Sequence, residues 1–276
     1  MLFFSFYSRF SLLFANNPYK GKFISHLVSL RPTWFISYFC TLMGQKKLQR
    51  FAEIKGFSNV LEYPTDMKAQ WKNFFHNTNP VTLELACGKG EYAVGLGRLH
   101  PNKNYIGIDI KGNRMWVGAK TALTEGLNNV AFIRSQIEKV TDYFSPGEVA
   151  EIWITFPDPQ LRGSKAKKRL THPRFLRLYQ SIMGTNGVIN LKTDSPDLYN
   201  FTKLVTNLYG LELLHDIEDI YAISEVSADL KIQTHYEKLD IAQSNRIHYL
   251  KFSLNKDLPV SLDEQLKQLL IEEEAN

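Results

Sequence analysis

From Val81 onward, short apolar runs alternate with segments of helical spacing. Strands are expected at Val81–Leu85, Tyr105–Ile110, Val130–Ile133, Glu151–Phe156 and Gly187–Lys192. Between them, Met115, Ala119, Ala122 and Leu123 fall at i, i+4, i+7 and i+8, one face of a helix over Lys111–Gly126. Ser195-Pro196-Asp197 places a capping hydroxyl, a first-turn proline and a first-turn acid in the order of a helix start, and Pro173 after His172 marks another. Strand–helix alternation predicts an α/β fold: a doubly wound, mostly parallel sheet with helices on both faces. Two further strands, Leu211–Tyr221 and Ile247–Leu254, bring the expected sheet to seven. The stretch between them, Ala222–Arg246, is longer than most connections, which suggests a function. No internal repeat, low-complexity tract or second domain is evident. Residues 43–80 read as a short helical or irregular lead-in, 81–256 as the main α/β domain and 257–276 as a C-terminal tail.

In such folds ligands bind at the carboxyl ends of the strands. The loops after Leu85, Ile108 and Phe156 share that edge. The first, Glu84-Leu85-Ala86-Cys87-Gly88-Lys89-Gly90, carries glycines where a backbone must approach a ligand. Asp109 lies 19 residues after Gly90, the spacing at which an acid bonds ribose hydroxyls. A dinucleotide would want a third glycine and a helix start free of acid for its pyrophosphate, and here Glu91 opens the helix. S-adenosylmethionine has no phosphate and carries a sulfonium and an ammonium, which suit a carboxylate-rich site. The loop therefore favours S-adenosylmethionine over NAD.

The strand Glu151-Ile152-Trp153-Ile154-Thr155-Phe156 runs into Pro157-Asp158-Pro159. Two prolines fix φ on either side of Asp158 and remove two amide donors, so this carboxylate is held stiffly. Arg162, Lys165, Lys167, Lys168, Arg169 and Arg174 follow within 13 residues with no acid among them. The formal charge of the chain is +5, but Arg9, Lys20, Lys22 and Arg31 lie in the first 42 residues, which hold no acid. Without them 29 basic residues face 28 acidic ones. Nucleic-acid affinity must then come from a local patch, and this segment supplies one suited to phosphates.

Cys40 and Cys87 have no second cysteine or histidine at ligand spacing, which excludes a disulfide framework and a zinc site and fits a reducing, cytoplasmic setting. Residues 1–42 show no sustained period. Their longest charge-free run, Pro32–Gln45, is 14 residues, too short to span a bilayer at roughly 20 residues per helix. We expect translation to begin at Met43, leaving residues 1–42 as a non-native extension. A disordered or targeting segment is the alternative. Mass spectrometry of the native N-terminus separates them: a peptide containing Phe35 excludes a start at Met43.

Over residues 43–254 these motifs resemble the bacterial single-subunit tRNA (guanine-N7-)-methyltransferases. Leu83 to Gly90, Gly107-Ile108-Asp109, Phe156-Pro157-Asp158-Pro159, Lys168-Arg169, Lys192-Thr193-Asp194 and Thr234-His235-Tyr236-Glu237 occur in the family's order. The resemblance implies a class I, Rossmann-like methyltransferase. It implies S-adenosylmethionine contacts from Glu84, Asp109, Gln136 and Asp158, with Asp158 also catalytic. It implies tRNA contacts from Arg162, Asp194, Thr234, His235, Tyr236 and Glu237, and no metal. Three positions depart from the pattern: Ala86 replaces a glycine, Gln136 an acid, and Gln160 a tryptophan. A methyltransferase acting on another RNA or a protein is an alternative, as is a non-catalytic cofactor-binding RNA-binding protein. Nothing in the sequence demands an obligate protein partner.

Overall fold

The computed structural model describes residues 45–239 and 246–275. The expected start at Met43 and the extension before it lie outside them. Residues 48–276 form one compact unit.

Eight strands make a single sheet: β1 (Val60–Glu62), β2 (Val81–Leu85), β3 (Asn104–Asp109), β4 (Val130–Arg134), β5 (Val149–Thr155), β6 (Met183–Thr193), β7 (Leu213–Ile217) and β8 (His248–Ser253). Their order is β1-β4-β3-β2-β5-β6-β8-β7. Only β8 runs against its neighbours. β1 adds one strand to the seven expected, pairing parallel to β4 at the sheet edge. Its three residues are half-buried and too few to show a period of two.

The order reverses between β2 and β5, where a cleft opens at the strand ends. β2 is buried at every position, as a central parallel strand with both faces covered must be. Leu83, Leu85, Ile106, Ile108, Ile152 and Ile154 fill one face. Tyr105, Phe132, Trp153, Met115 and Ala119 fill the other. Alternation along each strand separates the two sets.

The helices that position the cleft are α1 (Trp71–Phe75), α2 (Glu91–Leu99), α3 (Gly112–Glu125), α4 (Val140–Tyr143), α5 (Pro173–Gln180), α6 (Pro196–Leu208) and α7 (Asp263–Ala275). Ser195 caps α6 by accepting the Leu198 amide, with Pro196 in the first turn. His172 caps α5, its Nδ1 accepting the Arg174 amide at 3.1 Å. The C-terminal segment carries α7 and packs against α5. Leu258 and Leu266 are buried, and the Arg177 guanidinium donates to Leu258 O at 2.7 Å and to Asp263 Oδ2 at 3.1 Å.

Candidate active site

A cavity of about 830 Å³ lies over the carboxyl ends of β2, β3, β5 and β6. Asp109, Gln136, Asp158, Asp194 and Tyr236 face it, as do Gly88, Ile110 and Ile137. Glu84, Arg162, Thr234, His235 and Glu237 do not line its wall.

Asp109 organises the glycine loop. Its Oδ2 accepts the Gly88 amide at 2.9 Å and its Oδ1 the Lys111 amide at 2.7 Å. Three residues turn the loop in the left-handed region: Ala86 (φ 55), Gly88 (φ 54) and Gly90 (φ 69). The loop lies so close to α3 that a Cβ on Gly118 would stand 2.5 Å from the Lys89 carbonyl.

Glu84 sits beneath the loop rather than in the cavity, 3% exposed. It accepts the Ala93 amide at 2.8 Å and the Thr155 hydroxyl at 3.1 Å, tying the start of α2 to the end of β5. Burial raises its carboxyl to about 8, against the pull of those two donors, with Glu91 and Asp109 adding a smaller upward push.

Asp158 is exposed to the cavity, and its Oδ1 accepts the Gln160 amide at 3.1 Å. The turn is strained at both ends: Phe156 (φ 47) and Gln160 (φ 49) hold left-handed backbone. Arg169 keeps it there. Its guanidinium donates to Pro159 O at 3.2 Å and to Gln160 O at 3.3 Å, and lies 4.5 Å from the Phe201 ring centre. Arg169 is therefore a buried brace and not part of the phosphate-facing patch expected from sequence. Arg162, Lys165, Lys167 and Lys168 remain exposed. The hydrogen bonds that hold Gln160 in this turn run through its backbone.

The Thr234–Glu237 motif divides. Tyr236 lies over the glycine loop, its Cε2 3.7 Å from where a Cβ on Gly88 would stand, with the Arg114 guanidinium 5.6 Å from its ring centre. Thr234 and Glu237 turn inward. The Thr234 hydroxyl accepts the Glu237 amide at 3.1 Å, and Glu237 Oε2 accepts from Lys192 Nζ at 3.0 Å. The His235 amide donates to Glu91 at 2.9 Å, so the acid opening α2 anchors this segment. Lys111 and Arg114 line the cavity without having been expected. Their position just after Asp109 was the available signal.

Fold and site together define a class I methyltransferase. The family described as "Putative methyltransferase" matches residues 78–250. The chain is 45% identical over 224 residues to the tRNA (guanine-N(7)-)-methyltransferase of Bacteroides fragilis strain YCH46, covering 78% of this chain and 88% of the relative. It is 47% identical over 223 residues to that of Christiangramia forsetii, covering 77% and 100%. Among solved structures, the 16S rRNA methyltransferase KamB shares the fold at TM-score 0.51 and 15% identity, covering 67% of this chain and 92% of that one. An antibiotic-related methyltransferase does so at TM-score 0.52 and 16% identity, covering 71% and 96%. The chain belongs to the tRNA (guanine-N7-)-methyltransferase family.

Its cofactor is S-adenosylmethionine, and the residues present fit that group. Five carboxylates, Asp109, Glu138, Asp158, Asp194 and Asp197, line a cavity large enough for a nucleoside, suiting a ligand with cationic sulfur and nitrogen. Ile110 and Ile137 offer apolar wall for a purine.

Proposed function

We propose that this enzyme methylates N7 of a guanine in the variable loop of tRNA. The observation that carries the reading is the shared cavity. Asp158, held between two prolines, faces the same space as Asp109 and the glycine loop, and Lys168 of the basic segment stands at its wall.

Bound S-adenosylmethionine supplies an electrophilic methyl on a positively charged sulfur. Gly88, Asp109, Gln136 and Asp158 are the residues assigned to hold it. Guanine N7 already carries an in-plane lone pair, so the protein has no proton to remove before attack. Its contribution is alignment and electrostatics. As N7 bonds to carbon, positive charge spreads over the guanine ring. The Asp158 carboxylate stabilises that charge or holds the guanine edge by accepting from its N–H groups. Asp194 and Tyr236 face the same space and take the remaining base contacts. Glu84 and Glu237 act behind the wall, holding the loops that carry these groups. Exposed Arg162, Lys165 and Lys167 extend the site toward tRNA phosphates. A tRNA base held in tertiary structure must open locally, at a cost of a few kcal/mol.

The reading includes a cytoplasmic setting, where tRNA is found. Among the described residues no helix is long and apolar enough to cross a membrane. We assign catalysis to residues 81–256, with 43–80 as lead-in. The test is incubation with labelled S-adenosylmethionine and bulk tRNA, followed by nucleoside mapping. Label in 7-methylguanosine is expected. Label in another nucleoside or in protein would replace this reading with one of the alternatives.

A further inference from the structure

We propose that Lys192 is a positioning residue for methyl transfer, fixing both walls of the substrate side of the cavity from one buried point. The inference rests on the reading that Asp158, Asp194 and Tyr236 face the guanine.

Lysine is out of place in a strand buried at both faces, and Lys192 is fully buried. Each of its three N–H donors has a partner: Leu230 O at 2.9 Å, Ile232 O at 2.9 Å and Glu237 Oε2 at 3.0 Å. All three acceptors lie on the segment that carries Tyr236 over the glycine loop. The Lys192 main-chain carbonyl meanwhile accepts the Phe156 amide at 2.8 Å, at the start of the turn that holds Asp158. Asp194 lies two residues further along the same strand end. A shift at Lys192 therefore moves Tyr236, Asp158 and Asp194 relative to one another.

The segment is seated from its other side as well. Asp229 meets His100 at 2.6 Å, and Ile232 packs on α2 where a Cβ on Gly95 would stand 2.9 Å from it. A plain structural lysine would need only satisfied donors. Lys192 directs all of them to one long connection and its carbonyl to the opposite wall.

Two variants test the proposal from opposite sides. Lys192→Met removes the three donors but keeps the apolar stem. Gly95→Ala pushes on the Ile232 side chain while leaving the Lys192 and Glu237 side chains in place, and alanine is the better helix former, so α2 is not weakened. Each is assayed for kcat, for KM toward tRNA, for S-adenosylmethionine affinity by calorimetry, and for tryptic cleavage after Lys231 and Lys238. Misplacement by about 1 Å lowers turnover on the order of a hundredfold. We expect a loss of that order in kcat/KM for tRNA with Lys192→Met, a smaller loss with Gly95→Ala, faster cleavage in both, and cofactor affinity changed by far less. If Lys192→Met does not fold, Gly95→Ala decides alone. Faster cleavage with unchanged kcat/KM overturns the proposal, as does a loss of cofactor affinity in proportion to activity. The parent enzyme is assayed alongside. Its failure to methylate tRNA would remove the functional reading itself, whereas an active parent with unaffected variants removes only this inference.

Discussion

The Lys192 ammonium meets the Glu237 carboxylate at 3.0 Å with both side chains excluded from water. Burial holds the lysine below its ordinary pKa, while the carboxylate pulls it back up. Glu237 is further engaged by the Tyr221 hydroxyl at 2.5 Å and the Thr234 amide at 3.3 Å. Removing one partner of such a pair strands the other charge in the interior, at about 3–5 kcal/mol. Glu237→Ala should lose that much in urea denaturation followed by tryptophan fluorescence. A loss under about 1 kcal/mol would match a solvated pair instead. Lys192→Met combined with Glu237→Leu should recover much of the loss, because no charge is then left unpaired.

Glu84 predicts a pH signature. Its carboxyl moves from the ordinary 4.5 to about 8 because it is buried. The folded chain thus keeps a proton that the unfolded chain releases. The resulting stability is fully present below pH 4.5, declines as pH rises, and is gone above about 8. Glu84→Gln preserves shape and removes the titration. The stability of Glu84→Gln relative to the parent should therefore climb with pH across that window and level off beyond it. Denaturation curves across the window provide the check, and a difference that stays flat would contradict a protonated Glu84.

Asp158→Ala should lower turnover by about a hundredfold to a thousandfold, the range for losing one electrostatic contact to a transition state. Folding should survive, since the side chain is exposed and its recorded hydrogen bond is the local one from Gln160. Cofactor binding should persist in weakened form. Near-normal single-turnover rates would end its assignment as the catalytic group. Gln160→Trp should leave the turn intact, because its contacts there run through the Gln160 backbone.

The basic segment predicts two different phenotypes. Lys165 and Lys167 are exposed, so Lys165→Ala with Lys167→Ala should weaken tRNA binding and flatten its salt dependence by about one to two units of log–log slope. Arg169→Ala should instead lower turnover with little change in that slope, since Arg169 braces the Asp158 turn. Filter binding across a salt series, paired with rate measurements, distinguishes them.

That contrast marks the boundary of what sequence discloses. β2 is legible to the residue because Val81, Leu83 and Leu85 mark a buried strand that runs straight into a glycine turn. Asp109 and Asp158 are legible because each lies at or just past a strand end, and strand ends share an edge, whereas Asp194 comes from the resemblance of the Lys192-Thr193-Asp194 motif. Arg169 and Glu237 are not. Their directions depend on which chain segments the register brings beside them, Pro159 and Gln160 for one and Lys192 for the other. Glu84 depends likewise on β2 lying against β5, which brings Thr155 to its carboxylate. A lysine in the run Val188-Ile189-Asn190-Leu191-Lys192 was the one available sign that an acid had to be buried nearby.

The glycine loop offers a pair of opposite substitutions. Ala86 holds φ 55, where a Cβ crowds the following carbonyl at about 1–2 kcal/mol. Ala86→Gly relieves that strain but gives the unfolded chain more freedom, worth about 0.4–1 kcal/mol the other way. The strain term is the larger, leaving a net gain of zero to about 1.6 kcal/mol, so the melting temperature should hold or rise slightly. Gly90 holds φ 69, and a Cβ there would stand 2.4 Å from the Phe132 ring. Gly90→Ala therefore incurs the same backbone strain plus about 1–3 kcal/mol of overpacking, with only the unfolded-state gain to offset it. Relief by shifting the loop would drag Gly88 away from Asp109, whose carboxylate holds its amide at 2.9 Å. Thermal melts and S-adenosylmethionine calorimetry on both variants should show Ala86→Gly at or slightly above the parent and Gly90→Ala impaired in stability and affinity together. A Gly90→Ala protein of parental stability would mean that Phe132 can move aside, and that the loop is held by Asp109 alone.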